Sequence, residues 1–212
     1  YGTGEHKISI PPTLLFSLFG DHPDVRKSAT SDFKFAGDKI YLVGSSKQEL
    51  GASELAYMMV ESGHAAGIGG QVPQLPHPEQ NLATYRALST SIRAGWVRTA
   101  HDCSEGGLAI ALAEMCIGGR IGAAVDIDGS GEGDVWGRLW GESLGRFVVA
   151  VSPQHEAAFL AAMKGHLTTV LGEVVADNNL IITDGDDALV SMDVDTMAAV
   201  WKGTLDLTGG VV

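Results

Sequence analysis

The sequence predicts an α+β domain in which a mixed β-sheet packs against helices. Segments of strand and helix character alternate through the middle of the chain, adjacent strand pairs joined by short turns lie at both ends, and helices stand out from their apolar periodicity. Alternation alone favours a parallel sheet, whereas tight turns between neighbouring strands require antiparallel pairs, so the combination favours a mixed sheet. At 212 residues, 45% hydrophobic and 19% charged, the chain can bury a sizeable core.

Taken in order, residues 1–31 read as loop. Ile8 and Ile10 suit a short strand that Pro11 and Pro12 end, because neither proline donates to a ladder. The apolar run 14–19, closed by Gly20, predicts a buried strand. Phe33 to Phe35, a turn at Gly37 and Asp38, and Ile40 to Val43 read as strand, turn, strand. Ser53 is placed to cap a helix with Leu55, Met58 and Met59 on one face and Gly63 at its end. A Gly/Pro-rich loop leads to Pro78, at a first helical position, and Leu82, Tyr85, Leu88 and Ile92 repeat at helical spacing up to Gly95.

Val97 to Thr99 is strand-like and leads into the most apolar helix of the chain, 108–114. Residues 123–127 predict a strand, 135–140 a short helix, and 146–151 a fully buried strand. Ser152 and Pro153 would then cap and open a helix that buries Phe159, Leu160 and Met163. Strands are expected at 169–175, 180–183 and 188–192, before a last helix capped by Asp195.

A net charge of -12 argues against a nucleic-acid or anionic-membrane surface, either of which wants clustered Lys and Arg. No apolar run approaches the ~20 residues of a membrane span. Two cysteines, Cys103 and Cys116, are too few for a disulfide framework, which makes a reducing, cytoplasmic setting the expectation. The chain opens at Tyr1 in a polar, loop-like stretch without Met, as a piece of a longer polypeptide would.

Several stretches bear on chemistry. Gly141-Glu142-Ser143-Leu144-Gly145 matches G-x-S-x-G, but a nucleophile elbow needs a strand before the Ser and a helix after it, and here the order is reversed. A structural turn into the strand at 146–151 is the better reading. Cys103 reads as a small core-filling thiol and Cys116 as packing. Residues 129–134 are rich in Gly and acid, which repels phosphate and suggests a mobile loop with weak Ca²⁺ binding as a minor option. Gly67-Ile68-Gly69-Gly70 is a better cradle by charge but lacks the Lys-Ser/Thr of a P-loop.

The most informative stretch is Ala100-His101-Asp102-Cys103-Ser104-Glu105-Gly106-Gly107-Leu108. Polar groups crowd a strand-to-helix joint, and two glycines leave the helix start bare, so an anion could approach backbone N–H groups that have no partner of their own. Ser104 can cap the helix or touch a ligand, while Glu105 would compete with an anion. A closely packed helix start with no ligand is the equal alternative.

That stretch closely resembles the His-Asp-x-Ser-Asp/Glu-Gly-Gly-Leu signature of the large subunit of phosphoribosylformylglycinamidine synthase. Ile10-Pro11-Pro12-Thr13, Gly37-Asp38-Lys39-Ile40-Tyr41-Leu42-Val43-Gly44, Glu49-Leu50-Gly51-Ala52-Ser53-Glu54 and Trp140-Gly141-Glu142-Ser143 with Arg146-Phe147 fit the same family, so the resemblance runs over nearly the whole chain. It implies α/β/α layers like the C-terminal domain of aminoimidazole ribonucleotide synthetase. It also implies a division into a linker at 1–31, entering from an upstream module, and a C-terminal module at 32–212.

In that family a nucleotide-binding module and a C-terminal module each occur twice. The catalytic copy resembles Glu-Ser-Gln-Glu-Arg-Met, whereas this chain has Glu142-Ser143-Leu144-Gly145-Arg146-Phe147, similar to the non-catalytic copy except at Leu144. The resemblance therefore implies no catalytic residue and no metal ligand in this chain, with ATP and Mg²⁺ held mainly by upstream modules. It implies a possible nucleotide or phosphate contact at His101, Asp102, Ser104, Gly106 and Gly107, supported by Glu142, Ser143 and Arg146. The implied partners are those upstream modules and a glutaminase domain or subunit. For the whole enzyme the implied reaction is the ATP- and ammonia-dependent conversion of formylglycinamide ribonucleotide to its amidine. Another synthetase of the same clan, for aminoimidazole ribonucleotide or selenophosphate, and a purely structural domain are the alternatives.

Overall fold

A computed structural model describes residues 15–64 and 70–203. Ile8, Ile10, Pro11, Pro12 and Leu14, as well as Gly67, Ile68 and Gly69, lie outside the described residues. Seven strands, β1 (Lys39–Val43), β2 (Val97–Asp102), β3 (Gly122–Asp126), β4 (Phe147–Val151), β5 (Thr168–Val175), β6 (Asn179–Asp184) and β7 (Asp187–Asp193), form one sheet in the order β2-β4-β1-β5-β3-β6-β7. Every neighbouring pair is antiparallel except β3 with β6, so the sheet is mixed as expected.

Alternation along the strands sorts the core onto the two faces of the sheet. Ile40 and Leu42 of β1 and Val148 and Ala150 of β4 pack with α3 (Gly107–Gly119), α4 (Val135–Trp140) and α6 (Val194–Gly203). Their neighbours Tyr41, Val43, Val149 and Val151 face the other way, against α2 (Pro78–Arg93) and α5 (Glu156–Ala162). The α/β/α layering thus holds, but the second helix layer packs on the β2-β4-β1 end. At the other end Val170 and Ile181 stay exposed. Helix α3 is apolar all round because the sheet lies beneath it while α4 and α6 pack beside it. No helix among the described residues is long and apolar enough to cross a membrane.

Several expected elements differ. The run 15–19 is not a strand: it pairs with no neighbour among the described residues, and Leu15, Phe16, Leu18 and Phe19 are exposed. The sheet edge nearest the N-terminal segment is bridged by Thr30 instead, whose carbonyl accepts from Ala100 N. Phe33 to Phe35 forms no strand either. Phe33 N donates to Met115 O and the ring is buried beside α3, so this segment braces the helix end.

The Ser53 cap is present, its Oγ accepting from Ala56 N at 3.2 Å at the start of α1 (Glu54–Glu61). None of the expected face of that helix is buried, and Met58 is exposed. On α2, Leu88 is buried while Leu82 and Tyr85 are exposed. Helix α5 begins at Glu156, because Ser152 and Pro153 form a turn closed by His155 N on Ser152 O, and Leu160 is exposed. Asp193, not Asp195, caps α6, accepting from Thr196 N at 2.8 Å. The acidic loop is pinned rather than mobile: Ser46 N donates to Ser130 O and Glu132 N to Ser46 O.

These differences set two substitutions apart. Leu112→Ala, on the buried side of α3, is expected to cost about 2–5 kcal/mol in urea unfolding. Leu18→Ala, at a side chain 95% exposed, is expected to change stability by less than about 0.5 kcal/mol.

Candidate functional site

Pairing of β2 with β4 builds the site. The register sets His101 opposite Val148 and Asp102 opposite Phe147, and Cys103 N then donates to Arg146 O. The joint at 101–107 and the turn at 141–146 therefore lie side by side, although some forty residues of sequence separate them. All eight residues expected to form or support a site are drawn into this region.

Glu142 links the two stretches. Its Oε1 accepts from Gly106 N at 2.9 Å and from Glu54 N at 2.9 Å, so one carboxylate serves the start of α3 and the start of α1. An anion does sit at the bare helix start, and it comes from the protein itself. Gly106 and Gly107 both have positive φ, at 75° and 66°. A side chain at Gly107 would lie 2.6 Å from Gly141 O and 2.8 Å from Leu139 O. That glycine is required by the close approach of α4, where the sequence alone suggested room for a ligand.

Beneath this joint lies Arg146, 1% exposed. Its Nε donates to Ser143 O at 2.9 Å, Nη1 to Ser46 Oγ at 2.8 Å, and Nη2 to Gly141 O. No carboxylate pairs with it among the described residues. Burial draws the guanidinium below its usual proton affinity, with the nearby carboxylates of Glu49 and Glu142 opposing that. Ser143 is buried too, and its Oγ accepts from Lys47 N at 3.1 Å. It is a turn residue facing the interior, as the reversed order of elements around it anticipated.

The rim consists of exposed Asp102 and Ser104 and half-buried His101. Ser104 Oγ donates to Asp102 Oδ2, and the His101 ring nitrogens face Asp102 Oδ1 at 3.3 Å and Glu114 Oε2 at 2.9 Å. The Ser104 hydroxyl, followed by His101, holds the Asp102 carboxyl below the usual carboxylate range against its partial desolvation. Ser104 does not cap α3, which has no side-chain cap. Cys103 is buried, and desolvation pushes its thiol up to about 11; Cys116 is pushed up to about 12 for the same reason. Neither thiol is poised as a nucleophile.

Asp102, Ser104, Glu142 and Arg146 border a cavity of about 540 Å³ with Tyr85 and Phe147. A second cavity, of about 460 Å³, shares Leu144 and Gly145 with it and is bordered by Lys47, His77, Asn81, Thr84 and His166. Sequence reasoning missed this second set. Lys47 follows a Gly44-Ser45-Ser46 turn after β1, which is a signal of sorts, but nothing in the sequence connects it to His166. Glu49 was missed as well: it is buried, its Oε1 accepts from Gln74 N at 3.1 Å, and its Oε2 has no partner among the described residues. No group of three or more His, Cys, Asp or Glu able to hold a metal ion is found among the described residues.

The model of the family "AIR synthase related protein, C-terminal domain" matches residues 36–185. Among solved structures, Thermotoga maritima PurL complexed with FGAR is similar at 21% identity and a TM-score of 0.70, over 82% of this chain and 30% of that one. The same protein complexed with ATP is similar at 22% and 0.61, over 82% and 28%. Hydrogenase maturation protein HypE in complex with ATP is similar at 15% and 0.54, over 80% and 55%. The chain spans less than a third of the length of the PurL structures it matches. At these identities the likeness is one of fold.

The site yields two expectations. Gly107→Ala should destabilise the chain by about 3 kcal/mol in urea unfolding, since the added carbon meets backbone from α4 at a positive φ. Asp102 should titrate below the unfolded value of about 3.9, read by carboxyl NMR, and Ser104→Ala should move it upward. The sign is that of a depressed carboxylate. Ionised Asp102 favours the native state above the unfolded pKa, and that contribution is lost as pH falls through the folded value.

Proposed function

The chain belongs to the AIR synthase related protein, C-terminal domain family, and from that premise we propose that it is the C-terminal module of a phosphoribosylformylglycinamidine synthase. In that reading residues 1–31 are the linker from an upstream module and 32–212 the module itself. The whole polypeptide, a cytoplasmic ligase of purine biosynthesis, uses ATP and glutamine-derived ammonia to convert formylglycinamide ribonucleotide to formylglycinamidine ribonucleotide. Its ATP and Mg²⁺ belong to the upstream modules, and its ammonia comes from a glutaminase domain or subunit. This module is the non-catalytic copy. We assign it no catalytic residue and no Mg²⁺ ligand, and the 212-residue chain by itself is not an active ligase.

The observation that carries this reading is the hydrogen bond from Gly106 N to Glu142 Oε1. It joins the two stretches of closest family resemblance into one surface, with His101, Asp102 and Ser104 at its rim. Gly106 and Gly107 shape the helix start, Glu142, Ser143 and Arg146 support it from behind, and a ligand meets the rim. Similarity to PurL structures holding FGAR and ATP supports the same substrate class.

A second reading has its own observation. Glu142 already occupies the helix start and α4 already fills the space over Gly107, which favours a joint that is structural throughout.

The test is an assay of the full polypeptide with formylglycinamide ribonucleotide, ATP and ammonia. ADP release is expected only with all three present, and none from this chain alone. ADP release with formylglycinamidine ribonucleotide or with selenide in place of that substrate would move the assignment to another synthetase of the clan. If Asp102→Asn and Ser104→Ala leave turnover and nucleotide binding of the full polypeptide unchanged, the structural reading stands.

A further inference from the structure

The segment from Gln71 to His77 forms neither helix nor strand, and all of it is exposed except half-buried Pro73. It nevertheless walls both cavities. Pro73 borders the one lined by Asp102, Cys103 and Ser104, and Gln74, Leu75, Pro76 and His77 border the other. A stretch with no ladder and little apolar burial lies at the low end of local stability, so its position depends on a few identifiable ties.

Its two ends are fixed. Gly51 N donates to Gln71 O at 3.0 Å, where the backbones run so close that a side chain on Gly51 would lie 2.4 Å from Gly70 O. At the other end His77 precedes α2, and its carbonyl accepts from Gln80 N and Asn81 N. Between them Gln74 N donates to Glu49 Oε1 at 3.1 Å. Glu49 belongs to the framework of the site: its carbonyl accepts from Glu142 N at 3.2 Å, and Glu142 holds the starts of α1 and α3. The middle tie carries its own opposing contribution. Glu49 is 3% exposed, and its Oε2 has no partner among the described residues. A carboxylate oxygen kept from water without a donor is unfavourable. Releasing the segment gives up one charge-assisted hydrogen bond but lets water reach Oε2, so loss and gain partly offset.

We propose that residues 71–77 form a strap that opens and closes over the two cavities, with the Glu49 carboxylate as its latch. Closed, the strap screens the cavity wall at Cys103 from bulk water; open, it leaves that wall to solvent. The ends at Gln71 and His77 stay in place while the middle moves. Because Glu49 also accepts from Glu142 N, the latch and the start of α3 share one framework. The strap concerns access alone, and it holds for either reading of the 101–107 joint.

The two thiols supply the test. Cys103 is buried yet borders the cavity beside Pro73, whereas Cys116 is fully buried in α3 and borders neither cavity. Methyl methanethiosulfonate reacts with a thiolate that opening brings to solvent, forming a mixed disulfide with Sγ and releasing methanesulfinate. With the 212-residue chain followed by mass spectrometry, Cys116 reports global unfolding and the ratio of the Cys103 rate to the Cys116 rate reports the strap. Gln74→Pro removes the N–H that Glu49 accepts and should raise that ratio by about tenfold or more. Gln74→Ala keeps the N–H and should leave the ratio unchanged. In the unchanged chain, hydrogen exchange should show the Gln74 amide opening at least about a hundredfold more often than that of Leu42 in β1. A Gln74 amide as slow as that of Leu42, or the same ratio in Gln74→Pro as in the unchanged chain, overturns the strap. An equal rise in Gln74→Ala overturns the assignment of the latch to Glu49.

Discussion

A buried guanidinium with no counter-carboxylate is the constraint on which the site depends. Arg146 donates its hydrogen bonds to the carbonyls of Gly141 and Ser143 and to the hydroxyl oxygen of Ser46. A charge so deep is tolerated only while its donors are satisfied, so the turns at 44–47 and 141–146 are held in the one arrangement that serves it. Those turns carry Lys47 to one cavity and Glu142 to the start of α3. Ser46 extends the arrangement: its hydroxyl donates to Arg138 O at 3.1 Å, and its backbone pins the acidic loop at 130–132. Arg138 in turn pairs with Asp184 at the end of β6. A chain of contacts thus runs from the site to the far half of the sheet.

The clamp also explains a division of labour among the acids. Glu142 is committed to two backbone N–H groups, and Glu49 spends one oxygen on Gln74 N. Asp102, by contrast, is bonded to Ser104 and His101 of its own joint and stays at the surface. The carboxylates closest to Arg146 organise backbone, and the one farther out is left facing solvent.

Much of the fold was legible in the sequence because period and punctuation are local. The continuous apolar runs of β1 and β4, Pro78 opening α2 and Ser53 capping α1 each declare themselves within a few residues. What failed needed knowledge of a distant neighbour. The run 15–19 is as apolar as a strand, but an apolar run does not say whether anything covers it. Gly106 and Gly107 announced a close approach without saying by what, and it is Glu142 and the backbone of α4 that approach. Lys47 and His166 become neighbours only through the turns that end β1 and α5, so no spacing rule connects them.

The strand order has a consequence for how the chain comes into being. Strands β1, β2 and β3 have as sheet partners only β4, β5 and β6, all of which lie later in the chain. A growing polypeptide released from its N-terminus can form none of these ladders until Phe147 and the residues after it have emerged. Until then Ile40, Leu42, Val125 and the apolar α3 wait without the sheet that will bury them. Long-range pairing of this kind folds slowly and exposes apolar surface meanwhile, so this topology ties successful folding to completion of the last third of the chain.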